Sequence, residues 1–305
     1  PVAVLITIAS YFLILFTISY IAGRKADNEG FFVGNRKSAW YVVAFAMIGS
    51  SISGVTFVSV PGMVGISNFS YLQMVLGFVT GQIIIAFVLI PLFYRMNLVS
   101  IYEYLENRFG TSSYKTGAWF FFISKILGAA VRLYLVCLTL QLLVFEPFHM
   151  PFIMNVILTV ALVWLYTFRG GVKSLIWTDS LKTFCLIVSV VLCIYYISTD
   201  LKLSFTEMFS TVSDSALSHM FFFDNVNDKR YFFKQFLAGV FTMIAMTGLD
   251  QDMMQRNLSC KNFKDSQKNM ITSGISQFFI ILLFLMLGVL LYTFTSHQGI
   301  TNPAK

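Results

Sequence analysis

Eight unbroken apolar stretches, near residues 2–22, 41–65, 71–94, 117–145, 151–168, 175–198, 231–252 and 270–294, leave this chain few ways to fold. Each is long enough for a helix to cross a bilayer, which takes about 17–25 residues. In hydrocarbon every backbone amide and carbonyl needs an internal partner, so only helices and closed barrels span it. The runs are continuous rather than alternating, which selects helices. The charge balance agrees. The chain is 57% hydrophobic and 11% charged, with mean hydropathy +0.76, whereas soluble domains carry about 25% charged residues. The expected fold class is an all-α integral membrane protein of about eight transmembrane helices, with the lipid bilayer as its solvent.

The first stretch has no basic residue ahead of it and no small-residue cleavage site, and Arg24 and Lys25 follow directly. It therefore reads as a span, not a signal peptide. The chain opens at Pro1 without a methionine, so a trimmed N-terminus is expected. Lysines and arginines sort by connection. Thirteen lie in the first, third, fifth and seventh, against Lys202, Lys229, Arg230 and Lys234 in one long even-numbered loop. The positive-inside rule places the odd connections in the cytoplasm and the N-terminus outside, in a multi-pass plasma (inner) membrane protein. The net charge of +7 is mostly this topology signal, and nucleic-acid binding is not expected.

Four features carry chemistry. The second stretch holds Gly49-Ser50-Ser51-Ile52-Ser53-Gly54 at its centre, with Thr56 beyond. Such density weakens a helix. Two readings stand: small residues that let helices pack closely, or an interrupted helix whose freed carbonyls face a cavity. In YTFRGGVKSLIWTDSLK, a twin glycine is followed by Asp179 inside the sixth stretch. Lipid tolerates an ionisable group only where it is paired or serves a pathway. Lys182 lies three residues on, so a structural salt bridge is the competing reading.

The fourth stretch carries Lys125 and Arg132 on one helical face. Lys125 can snorkel to the cytoplasmic end, but Arg132 sits mid-span. The seventh stretch ends in Asp250 and Asp252, read as interfacial charges, as lining of an inner exit, or as partners of Arg256, four residues after Asp252. Leu98–Gly110 is amphipathic, and in the loop 199–230 Ser204 and Glu207 form a capping box that predicts a short helix on the outer face. Cys137, Cys185, Cys193 and Cys260 show no metal spacing and read as small hydrophobes. The histidines, His149, His219 and His297, fall in or near outer loops. With no HExxH, CxxC or phosphate-cradling loop, an enzyme or ATP-driven pump is not expected.

Four segments, in order, resemble the sodium:solute symporter family: FFVGNRKSAWYVVAFAMIGSSISG, IYEYLENRFG, RGGVKSLIWTDSLK and LDQDMMQRNLSCKN. The resemblance implies the inverted-repeat, five-plus-five helix fold of the leucine transporter with an extra helix in front. Residues 1–305 would then be one transmembrane domain. Residues 1–40 give the extra helix and a cytoplasmic loop, 41–198 a complete first five-helix repeat, 199–230 an extracellular loop, and 231–305 the start of the second repeat. That fold needs at least eleven helices and eight are present, so a C-terminally truncated fragment is expected.

The resemblance also implies the coupling ion, Na+. One sodium would be held by the backbone carbonyls of Gly49 and Ile52 together with hydroxyls beyond residue 305. Some members use a further position near the carboxylate that matches Asp179. Lys182 departs from the pattern, standing where glutamine is frequent. The expected function is sodium-coupled import of a small organic solute by alternating access. Arg132 would pair a carboxylate, which favours an organic acid or an acidic sugar such as sialic acid, unless it pairs with a carboxylate on a missing helix. Ser53, Thr56 and Gln82 would hydrogen-bond the solute. Neutral-sugar or amino-acid symport, and a non-transporting membrane sensor, are the alternatives.

Overall fold

The computed structural model describes residues 2–23, 38–98, 100–167 and 171–298. The first connection, 24–37, and residues 168–170, which include Arg169 and the first glycine of the pair, lie outside the described residues. All eight apolar stretches fold as helix. We number the elements α1 (Val2–Gly23), α2 (Trp40–Ser51), α3 (Gly54–Ser67), α4 (Tyr71–Arg95), α5 (Ile101–Phe109), α6 (Thr111–Phe148), α7 (Phe152–Thr167), α8 (Gly171–Asp200), α9 (Phe205–Asp214), α10 (Phe232–Gly248), α11 (Gln251–Asn257) and α12 (Phe263–His297).

Among the described residues four spans are long and apolar enough on their own: α4, α6, Ser174–Asp200 in α8, and α12. Two more are bent pairs, α2 with α3 at 65° and α10 with α11 at 73°. Ile6–Ile21 in α1 and Phe152–Leu165 in α7 are shorter apolar helices. The seventh stretch therefore departs from the continuous helix expected over 231–252: it breaks at Leu249–Asp250.

The bundle is organised around α12, which packs against α2, α3, α4 and α8. Its apolar side chains enter two clusters. One gathers Ile48, Ile52, Val60, Val64, Phe69 and Phe284. The other gathers Val43, Ala46, Met47, Ile85, Phe93 and Met270. The α2–α3 break lies within the first of these, between Ile52 and Val60. In lipid no hydrophobic drive pulls helices together, so close approach and hydrogen bonds must hold them. Gly77 of α4 and Gly239 of α10 supply the closest crossing. A Cβ built on Gly77 would lie 3.0 Å from the Gly239 Cα, and one on Gly239 would lie 3.0 Å from the Met74 carbonyl carbon. Because the obstacle is backbone, Gly239→Val is expected to cost about 1–3 kcal/mol or more by overpacking. The check is the yield and melting temperature of monodisperse detergent-solubilised protein.

A π-helical turn, Ile85–Leu89, interrupts α4 just before Pro91. There Ile90 donates to the Ile85 carbonyl, and proline cannot donate to the next one along, that of Ala86. Gln267 of α12 fills the gap, its Nε2 lying 2.9 Å from the Ala86 oxygen.

The loop after α8 is anchored rather than loose. Ser204 and Glu207 form the expected capping box and start α9. Fully buried Gln73 donates to the Arg230 carbonyl at 2.8 Å and accepts from the Phe222 amide at 3.2 Å. Hydrogen bonds from the Arg230 side chain hold the Asp228 carboxyl below the usual carboxylate range.

Candidate functional site: two broken helices and a buried ion-pair cluster

At the first break the chain becomes extended for two residues. Ile52 has φ −98°, ψ 124° and Ser53 has φ −113°, ψ 171°. The Ser53 amide, which a continuous helix would give to the Gly49 carbonyl, instead donates to Thr56 Oγ1 at 3.2 Å. Ser50 and Ser51 turn their hydroxyls back to the carbonyls of Ala46 and Met47, each at 2.9 Å. Such back-bonding bends helices. Among the described residues no backbone amide donates to the carbonyls of Gly49, Ser50, Ser51 or Ile52. Four carbonyl oxygens at mid-span are thus released from the helical ladder. Of the two readings of this segment, interruption holds.

Close packing holds as well, at Gly49. A Cβ there would lie 2.6 Å from the Asp179 carbonyl and would strike the Thr183 hydroxyl. Thr183 Oγ1 sits 2.8 Å from the Phe45 carbonyl of α2. Gly49 therefore neighbours the backbone of Asp179, whose carboxylate was the expected ligand of a separate sodium position.

The Asp179 side chain points elsewhere. Its Oδ2 pairs with Arg256 Nη1 of α11, and its Oδ1 lies 3.5 Å from Lys182 Nζ. Arg256 is 7% exposed and also reaches Asp252 at 3.2 Å. Lys125 of α6 sits 2.7 Å from Asp250 and 3.9 Å from Asp252. Lys125 is thus engaged in ion pairs. The Asp252–Arg256 pairing, one of three readings of that segment, is present. The cluster clamps the second break. Asp250 is the N-cap of α11, accepting from the Met253 amide at 3.1 Å. Glycine at 248 followed by aspartate at 250 was the available sequence signal for this break.

Gln82 is buried between helices. Its Nε2 is 3.3 Å from Gln277 Oε1, and Ser273 Oγ is 3.3 Å from its Oε1. Both of its polar ends meet α12. Arg132 is exposed on α6, a helix that packs on α5 and α7 rather than on α2 or α3. It forms no ion pair among the described residues. The structure thus brings Gly49 against the Asp179 backbone, with Ile52, Ser53 and Thr56 at the adjoining break, and leaves Arg132 apart.

Two discontinuous spans within a membrane-helix bundle, one of them broken midway along its length, define a class: the broken-helix fold of secondary transporters. The chain belongs to the sodium:solute symporter family, whose model matches residues 31–304. It is similar to human sodium-coupled monocarboxylate transporter 2, 25% identical over 272 residues, covering 88% of this chain and 43% of that protein. It is similar to the sodium/sialic acid symporter NanT of Aliivibrio fischeri (strain ATCC 700601 / ES114), 26% identical over 293 residues, covering 92% and 55%. The fold matches a solved structure of a Na+-coupled sialic acid symporter in a substrate-bound outward-open state. The TM-score is 0.84 at 20% identity, over 95% of this chain and 61% of that one. The chain spans about half the length of the curated relatives it matches.

Proposed function

We propose that the protein containing this chain is a sodium-coupled symporter, not an enzyme. It would import a small organic solute by alternating access, across a plasma (inner) membrane with its N-terminus outside. The observation that carries this reading is the interruption at Ile52–Ser53. Carbonyl oxygens without amide partners suit a hard cation. On this reading the Gly49 and Ile52 carbonyls contribute to a sodium site, and Ser53 and Thr56 face the solute. A cation moving inward gains about 2.3 kcal/mol per charge per 100 mV, which drives uptake. In this arrangement residues 41–198 are the first five-helix repeat and 231–305 the start of the second. Gln82, held by α12, would reach solute only after exchanging its partners.

An organic acid or acidic sugar is the favoured cargo. Two relatives are named for carboxylate-bearing solutes, a monocarboxylate and sialic acid. Arg132 carries a guanidinium without a carboxylate among the described residues. Counterflow of labelled solutes into proteoliposomes, with and without sodium, tests the reading. Sodium-stimulated exchange of acids supports it, and sodium-independent behaviour removes it. Exchange of neutral sugars or amino acids alone would correct the cargo. In the same assay Arg132→Ala is expected to lower uptake of an acid by up to about fivefold. Arg132 is exposed, and an exposed ion pair is worth about 0.2–1 kcal/mol. Unchanged uptake takes Arg132 out of the solute site.

A further inference from the structure

We infer that Lys182 is a fixed internal cation for Asp179, so that this carboxylate holds an ammonium where sodium was expected. The protein then moves one sodium fewer per solute than it would with a neutral residue at position 182. The inference rests on the symport reading above.

Three observations carry it. First, both Asp179 oxygens are engaged, one by Lys182 and the other by Arg256. Second, among the described residues the ion-pair cluster closes in charge: Lys125, Lys182 and Arg256 face Asp179, Asp250 and Asp252. A sodium ion at Asp179 would be a fourth cation, beside a carboxylate only 14% exposed. In so poorly solvated a place an uncompensated charge is costly, and like charges a few ångströms apart repel strongly. Third, the two cations on Asp179 differ in kind. Arg256 reaches it from α11, so that link opens whenever α11 moves away from α8. Lys182 sits one turn along the same helix, three residues on. Its pairing is local and survives relative motion of the helices. An ammonium that travels with the carboxylate leaves no step of the cycle at which the carboxylate is bare.

The complete protein, reconstituted in proteoliposomes, allows a direct measurement. The reversal potential of solute flux at fixed sodium and solute gradients gives the number of sodium ions moved per solute. Lys182→Gln is expected to raise that ratio by one and to make sodium activation of uptake steeper. Lys182→Met, which keeps the length and loses the charge, should do the same, and guards against a local defect of one variant. Lys182→Arg should leave the ratio as it is. An unchanged ratio in both neutral variants overturns the inference, as does a raised ratio in the arginine variant. If the unmodified protein shows no sodium-driven uptake, the symport reading fails first and this inference falls with it.

Discussion

Replacing Arg256 by methionine is expected to be the most destabilising single change among the described charged residues. Its side chain is 7% exposed and ties Asp179 of α8 to Asp252 of α11. Methionine fills much of the same volume, so packing changes little. What remains is a carboxylate at Asp179 whose better-buried partner is gone. Removing one member of a buried pair costs about 3–5 kcal/mol, because the other is left uncompensated. Lys182, 42% exposed, recovers only part of that. The measurement is thermal unfolding of the purified protein in sodium-free detergent buffer. Asp179→Asn combined with Arg256→Met removes both charges, and should be less destabilising than the sum of the single changes. Strict additivity would mean that the two groups do not interact in solution, and that the clamp on the second break is not electrostatic.

The clamp also shows what could be read from sequence and what could not. Local signals were legible. The eight apolar stretches became helices, the Ser204–Glu207 box started α9, and the four-residue spacing of Asp252 and Arg256 became an ion pair. Each depends on residues within a turn of one another, where helical geometry fixes the distance. The Asp179–Arg256 pair was not legible, because 77 positions separate its members and only the packing of α11 against α8 joins them. Lys125 illustrates the same limit. Its place near a helix end suggested snorkelling, yet Asp250 lay within reach on another element.

The second break was hidden for a different reason. The chain is apolar up to Leu249, so the span was read on to residue 252, and Asp250 and Asp252 looked like its polar end. Read as an N-cap, Asp250 announces a new helix. Gln82 shows a related limit. A glutamine in an apolar helix invites assignment to a ligand, and the sequence did not show that Ser273 and Gln277 meet both of its ends.

Gly49→Val is expected to abolish sodium-dependent uptake while leaving a folded protein. The argument is steric. The first added carbon would lie 2.6 Å from the Asp179 carbonyl and 3.3 Å from the Thr183 amide nitrogen, both backbone atoms of α8. Backbone cannot rotate aside, so α2 and α8 must separate at this level. Overpacking of this kind costs about 1–3 kcal/mol, which weakens the bundle without unfolding it. Function is more sensitive than stability, because a misplacement of about 1 Å at a positioned group can lower a rate about a hundredfold. The displaced parts are the ones that matter here: the freed Gly49 carbonyl and the 2.8 Å hydrogen bond from Thr183 to Phe45.

Gly54→Ala separates this account from one based on glycine flexibility. Gly54 flanks the same break, but nothing lies within 4 Å of a Cβ built there. Alanine at that position should favour α3 by up to about 1 kcal/mol and keep uptake. Size-exclusion profiles establish that both variants are folded, and initial rates in proteoliposomes decide between them. If the two variants lose uptake together, the break works as a flexible joint. If only Gly49→Val loses it, the contact between α2 and α8 holds the released carbonyls in place. Normal uptake by Gly49→Val would remove those carbonyls from the sodium pathway.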